Sequence, residues 1–331
     1  MKFTLRLYSL CIGPIILACF YWICTSLYKM QGVQKKTGLI PTVQTTLEMR
    51  KENVQKMCKT FPMRRKNDST IQKETEEILG NKSALIVDEK LKLVFCFVPK
   101  AASTSWASII ISHHSNCSIE SLDSNEIWNS RRKYIKPMWE FTSQERMKIL
   151  RDYLKVLVVR DPLDRIYSAW YDKFRYYNKW FAEKYGKYVI NMTRPNGINS
   201  DLKKGQYITF AEFIQYLTIL DDISTTNEHW KPIYDICHPC HVTYDIITNF
   251  YNIEEESNFV LQKLGLVNMK FPFKHVNNLP SKTETSFSFQ KMYQLYKQFN
   301  VETMMKLKDA YIMDYKIFNN GALEFRRLVL E

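Results

Sequence analysis

The 331-residue chain has no internal repeat and no low-complexity tract, so solenoids and fibrous arrays are excluded. It also lacks a G-x-x-x-x-G-K-[ST] run, and only nine glycines are spread over its length. That excludes a Walker A site and, with no clear Mg²⁺-binding partner, disfavours a P-loop kinase. The usual zinc layout, two ligand pairs separated by a longer loop, is missing as well. Cys237, His238, Cys240 and His241 crowd together instead. Acidic residues are in deficit, 34 against 47 Lys plus Arg, for a formal charge of +13. Such a chain attracts nucleic acid, anionic membranes or acidic polysaccharides, or it carries a scattered surplus with no binding role.

A hydrophobic content of 45%, with 14% aromatic residues, is enough for one large domain with a full core. Leu7 to Tyr28 contains no charged residue, and its 22 residues match the roughly 20 that span a bilayer. Lys2 and Arg6 precede the run; Lys29, Lys35 and Lys36 follow it, so flanking charge does not set the orientation. The run exceeds the apolar region of about 7–15 residues in a cleaved leader, and no small-x-small site follows. The expectation is a cytoplasmic tail at 1–6, an uncleaved transmembrane signal anchor at 7–28, a polar stem at 29–83 and a lumenal domain at 84–331. Four N-x-[ST] triplets, at Asn67, Asn81, Asn116 and Asn191, agree with a secretory-pathway body and are glycosylation candidates.

Five cysteines lie outside the apolar run: Cys58, Cys96, Cys117, Cys237 and Cys240. In an oxidising lumen some should pair. Cys96 sits in a predicted buried strand and is the candidate to stay unpaired. Cys237-x-x-Cys240 reads as structural disulfides to different partners, with Cys58 and Cys117 as candidates. A redox pair would need a βαβ context that is absent.

Strand and helix alternate through the body, so the predicted class is α/β with a mainly parallel central sheet flanked by helices. Ala84–Val87 and Leu93–Val98 read as strands around a turn at Asp88-Glu89-Lys90. Leu154–Val159 is a continuous apolar run, as in strands covered on both faces. A helix is expected from Pro162 to about Tyr177, with Asp161 as N-cap, and residues 178–207 read as loop. Phe210–Leu220, Glu254–Leu264 and Val301–Met313 are predicted helices, and Val242–Phe250 a strand.

Two segments carry chemistry, and each follows a buried-type strand. Pro99-Lys100-Ala101-Ala102-Ser103-Thr104-Ser105-Trp106 enters a helix whose first N–H groups face the loop. Ser103, Thr104 and Ser105 add hydroxyls, and Lys100 adds a mobile charge. Arg160-Asp161-Pro162-Leu163-Asp164-Arg165-Ile166-Tyr167-Ser168 offers a forked guanidinium at a strand's carboxyl end and a hydroxyl from Ser168. Either alone is also an ordinary strand-to-helix turn. Together they can hold two phosphate-like groups of one nucleotide, which points to a transferase with a doubly charged donor.

The first segment resembles the 5′-phosphosulfate loop of Golgi carbohydrate sulfotransferases. Arg160-Asp161-Pro162-x-x-Arg165-x-x-Ser168-Ala169, followed by Lys173-Phe174, resembles their 3′-phosphate motif. Asn227-Glu228-His229-Trp230, Cys237-His238-Pro239-Cys240 and Tyr311-x-x-Asp314-Tyr315-x-x-Phe318 are similar to blocks of the branch holding the chondroitin and dermatan 4-O-sulfotransferases and the HNK-1 sulfotransferase. The resemblance covers about residues 84–318. It implies a P-loop-like sulfotransferase fold and the co-substrate 3′-phosphoadenosine 5′-phosphosulfate (PAPS), with no metal and no nucleic-acid partner. It further implies a single-pass type II Golgi membrane enzyme acting on a glycosaminoglycan, with position 4 of N-acetylgalactosamine in chondroitin as the expected target. By match, Lys100, Ser103, Thr104 and Ser105 would hold the phosphosulfate, and Arg160 and Ser168 the 3′-phosphate. The alternatives are a glucuronic acid terminus as acceptor, or a glycan-binding protein of the same fold without catalysis.

Sulfuryl transfer resembles phosphoryl transfer, where positioning and electrostatics dominate. Lys100 can stabilise charge on the leaving oxygen. The acceptor hydroxyl needs a base, and His229 is the candidate, with Glu228 as the second choice. Arg131-Arg132-Lys133 and the Lys173–Lys187 stretch with its interleaved aromatics are candidates for a polyanionic sugar site, or are solvated helix faces.

Overall fold

A computed structural model describes residues 41–60, 68–81, 83–175, 178–194, 208–272 and 290–318. The expected anchor at Leu7–Tyr28 lies outside them, and among the described residues no helix is long and apolar enough to cross a membrane.

Leu85–Asp88 (β1) and Leu93–Cys96 (β2) form an antiparallel hairpin. Asp88 shapes its turn by accepting from the backbone N–H groups of Lys90 and Leu91, both at 3.0 Å. Lys136–Pro137 (β3) pairs antiparallel with the outer side of β1. Leu154–Val159 (β4) runs parallel to β2, with Leu93 beside Leu154 and Cys96 beside Leu157. Ile246–Asn249 (β5) continues the parallel part beside β4. The order is β3-β1-β2-β4-β5. The sheet is therefore mixed, which corrects the mainly parallel expectation. A short turn such as Glu89–Lys92 can only make an antiparallel neighbour, whereas β2 and β4 are joined by long crossovers. Both central strands are buried almost throughout, as their unbroken apolar runs require.

Two helices precede the sheet where a stem was expected: Val43–Thr60 (α1) and Asp68–Gly80 (α2). Leu47 and Val54 of α1 and Leu79 of α2 are buried in the main core. Arg50 forks onto the buried Glu256 at 2.8 and 3.1 Å. The folded unit thus begins at Val43, ahead of the expected boundary at residue 84. Its partners lie some 200 residues away in sequence, so no local pattern announces them.

Ser103–Ser115 (α3) leaves β2, and Ser143–Asp152 (α4) leads into β4 behind a Thr142–Glu145 capping box. Pro162–Trp170 (α5) starts as expected, with Asp161 capping the Asp164 N–H at 3.0 Å and Pro162 in the first turn. It ends at Trp170, not near Tyr177. Tyr171–Arg175 forms a π turn, which changes the phase of the side chains that follow. Residues 178–194 are also helical rather than loop-like: Lys179–Phe181, a π turn at Ala182–Gly186, then Lys187–Thr193. Phe181, Val189 and Ile190 anchor them in the core, while Trp180, Tyr188 and Met192 stay exposed. Phe210–Ile219 (α6) and Ile253–Lys263 (α7) match expectation closely. The last predicted helix is two, Val301–Ala310 (α8) and Ile312–Phe318 (α9), broken at Tyr311. A second, aromatic-rich core containing Trp170, Phe174, Phe181, Phe213, Trp230 and Tyr311 lies under α5, α6 and α8.

Two disulfides form, Cys58–Cys240 and Cys96–Cys237. Cys58 is a partner as expected. Cys96 is paired rather than free, and among the described residues Cys117 is the cysteine without a disulfide. Burial in a strand does not spare Cys96, because the Cys237 turn packs directly over the end of β2.

Candidate active site

The site forms at the carboxyl ends of β2 and β4, which parallel pairing places side by side. Beyond β2 the chain turns through Lys100 at φ 67° and Ala102 at φ 60°, both left-handed and neither glycine. Such positions cost energy and persist where the surroundings over-determine them. Ala102 is the N-cap of α3 and supplies no side-chain cap, so the first turn of the helix presents its N–H groups to the loop. Ser103 and Ser105 are buried there and Thr104 is half-buried.

Arg160, at the end of β4, joins the two loops. Its Nη1 donates to the carbonyl of Lys100, while Nε and Nη2 fork onto Asp164, each at 2.8 Å. The guanidinium lies 4.0 Å above the Phe250 ring at the end of β5. These contacts use three of its five N–H groups. Ser168 is half-buried on α5, two turns further on.

The π turn after α5 supplies a partner that sequence reasoning missed. Asp172 Oδ2 accepts from Lys100 Nζ at 2.9 Å and pairs with Lys173 Nζ at 2.9 Å. Burial lowers the Lys100 pKa, and Asp172 only partly restores it. Burial works against the Asp172 carboxylate, yet Lys100 and Lys173 outweigh it and hold its pKa low.

His229 arrives from the opposite side. Asn227 Oδ1 accepts from the His229 backbone N–H at 3.0 Å and from Nδ1 at 2.7 Å, while Asn227 Nδ2 donates to the Tyr185 hydroxyl at 2.9 Å. The amide orientation follows from these bonds. Nδ1 therefore carries the proton and Nε2 keeps its lone pair. Burial first, then Lys173 and Lys100, push the His229 pKa down to about 3. The imidazole is neutral at neutral pH with Nε2 open as an acceptor, and the same burial makes it a weaker base than a free imidazole. Glu228, the other candidate base, is exposed.

Arg165 ties this segment to α5. It is fully buried and donates to the carbonyls of Glu228 at 3.3 Å, His229 at 3.1 Å and Lys231. It holds backbone, neither a helix carboxylate nor a ligand. Tyr311 adds a hydroxyl bond to the Trp230 carbonyl, and Asp314 caps the N–H groups of Ile233 and Tyr234 at 2.8 Å. The sequence signal for these roles was the Arg165 and Tyr311 motif positions, whose targets are backbone atoms that no motif displays.

The structure thus brings Lys100, Ser103, Thr104, Ser105 and Arg160 to one place, with the charge of Lys100 acting on His229. Of the two basic stretches, Lys173–Lys187 borders His229 through Phe181, whose ring lies 5.2 Å from the imidazole. Arg132 instead pairs with Glu140 at 2.7 Å. Among the described residues, no cluster of His, Cys, Asp and Glu is arranged to hold a metal ion. Asn81, Asn116 and Asn191 are exposed, and Asn67 lies outside the described residues.

A family model described as the sulfotransferase family matches residues 83–320. Carbohydrate sulfotransferase 11 of Mus musculus is 30% identical over 290 residues, covering 85% of this chain and 78% of its own. Carbohydrate sulfotransferase 9 of Homo sapiens is 28% identical over 83% of this chain and 60% of its own. Carbohydrate sulfotransferase 8 of Homo sapiens is 28% identical over 72% and 55%. No solved structure matches the chain significantly.

Proposed function

We infer the activity from one premise: this chain belongs to the sulfotransferase family. The reaction is transfer of a sulfuryl group from PAPS to a glycan hydroxyl, with position 4 of N-acetylgalactosamine in a chondroitin-like chain as the target. The observation that carries the reading is the junction of the two anion loops through Arg160 and the Lys100 carbonyl, beside a neutral imidazole with a free Nε2. The first-turn N–H groups of α3, with Ser103, Thr104 and Ser105, hold the 5′-phosphosulfate. Arg160 and Ser168 hold the 3′-phosphate. His229 Nε2 takes the proton of the acceptor hydroxyl as its oxygen bonds to sulfur. The bond from sulfur to the bridging oxygen breaks, and Lys100 stabilises the charge left on that oxygen. The products are the sulfate ester and 3′,5′-adenosine bisphosphate. Donor charge offsets the potential of Lys100 and Lys173, so it raises the basicity of His229 when it is needed.

The enzyme works in the Golgi lumen, held by Leu7–Tyr28 as a type II anchor. Exposed Asn81, Asn116 and Asn191 support that side of the membrane, because a glycan can be attached at each.

The test uses the full chain in detergent, radiolabelled PAPS and a panel of desulfated glycans, with mapping of the labelled position. Label at position 4 of N-acetylgalactosamine is expected. Label on a terminal glucuronic acid would change the acceptor and leave the transfer intact. No label on any glycan, together with no binding of 3′,5′-adenosine bisphosphate, overturns the reading.

A further inference from the structure

We propose that Trp180, Lys184 and Tyr185 form the subsite for an anionic sugar, the uronate adjoining the residue that receives sulfate. This rests on the acceptor reading above and makes it specific. Trp180 is 54% exposed and Lys184 is exposed, so neither serves the core. The π turn at Ala182–Gly186 brings Lys184 Nζ to 4.7 Å from the Trp180 ring and 5.5 Å from the Tyr185 ring. Two ring faces fix an ammonium without neutralising it, and its N–H groups remain able to bind an anion.

The platform is coupled to the reacting centre. The Trp180 and Phe181 rings are 4.8 Å apart, and Phe181 meets His229 edge-on at 5.2 Å. The Tyr185 hydroxyl accepts from Asn227, whose carbonyl oxygen sets the His229 tautomer. One layer of side chains therefore separates the surface platform from the catalytic imidazole, a span that neighbouring sugars of one chain can bridge. Along residues 179–187 the charges favour an anion: Lys179, Lys184 and Lys187 outnumber Glu183, which sits 3.9 Å from Lys179. An indole face suits the C–H face of a pyranose, and the adjoining ammonium suits its carboxylate.

The experiment compares chondroitin with carboxyl-reduced chondroitin, in which each uronate has become a neutral hexose, using radiolabelled PAPS and the full chain. Wild type should lose about tenfold in kcat/KM on the reduced polymer, the worth of one charge-assisted hydrogen bond. Lys184→Gln should lose about the same on chondroitin and show no further loss on the reduced polymer. Trp180→Ala should weaken both acceptors alike. Donor affinity, read with 3′,5′-adenosine bisphosphate, should stay within twofold for both variants, which also shows that they are folded. Equal rates of wild type on the two polymers, or undiminished discrimination by Lys184→Gln, overturns the subsite and leaves sulfuryl transfer standing. Absence of label on both polymers with wild type would instead remove the acceptor reading and the subsite with it.

Discussion

Lys100 Nζ and Asp172 Oδ2 lie 2.9 Å apart across two loops separated by 72 positions in the chain. The ammonium that must reach the donor's bridging oxygen is held by a carboxylate, which it shares with Lys173. Removing that charge has two opposed effects. Asp172→Asn leaves two cations uncompensated, so 3′,5′-adenosine bisphosphate should bind about fivefold more tightly. Lys100 loses its fixed direction, so kcat should fall about tenfold. Calorimetry and initial rates read the two effects separately, and weaker nucleotide binding would contradict this account.

Lys100 and Arg160 should fail differently although they belong to one junction. Lys100→Ala removes charge stabilisation that matters mainly in the transition state, so kcat should fall by about 10²–10³ with donor affinity changed only a few-fold. Arg160→Ala removes the cation proposed to hold the 3′-phosphate and frees the Lys100 carbonyl and Asp164. Donor affinity should weaken by about tenfold or more, with a smaller loss in kcat. Equilibrium binding of 3′,5′-adenosine bisphosphate and saturation kinetics separate the two cases.

His229 has a consequence for acid stability. It stays neutral down to about pH 3, whereas an imidazole in the unfolded chain takes its proton near pH 6.5. Between these values the unfolded chain binds more protons, so this contribution is present above pH 6.5 and is lost as pH falls toward 3. Asp235 and Asp314, each pushed up to about 6 by burial, act with the opposite sign, and their share is lost as pH rises through 6. Both carboxyls remain in His229→Gln, so a comparison with wild type isolates the imidazole. From pH 6.5 to 4.5, wild type should lose about 2 kcal/mol more than the variant in urea unfolding. Turnover of the variant should fall about 10²-fold, the usual worth of a general base. Near-normal turnover would exclude His229 as the base.

The Cys58–Cys240 disulfide attaches α1 to the turn that also holds Cys237. The Cys96–Cys237 bond already closes most of the chain between them. The first bond therefore restrains mainly the stretch from Cys58 to Cys96. A C58A/C240A double variant should lose about 2–4 kcal/mol of stability, and α1 should become protease-sensitive first. Limited proteolysis with mapping of the earliest cut checks the order. A first cut elsewhere would show that Leu47, Val54 and the Arg50–Glu256 pair hold α1 without the bond.

Much of this protein was legible in its sequence. The apolar runs at Leu93–Cys96 and Leu154–Val159 identified the central strands, because a strand with no polar face must be covered on both sides. Pro99–Ser105 and Arg160–Ser168 marked the anion loops for the same local reason: hydroxyls, a Lys and an Arg gathered where strands end and helices begin. What lay beyond reading was set by contacts distant in sequence. Polar α1 resembles a stem until Glu256 and Cys240 meet it. Cys96 looks like an inert core thiol until Cys237 packs over it. The helix expected to reach Tyr177 turns into a π segment at Tyr171, and Asp172 at its start meets Lys100, a residue 72 positions away. The tautomer of His229 rests on Asn227, and the placement of its backbone on Arg165. Sequence alone determined which chemical groups the site owns, since residue types and local strand ends suffice for that. Tertiary structure decided which of them are held, neutralised or left free to react, because burial and partner geometry exist only after distant segments have packed.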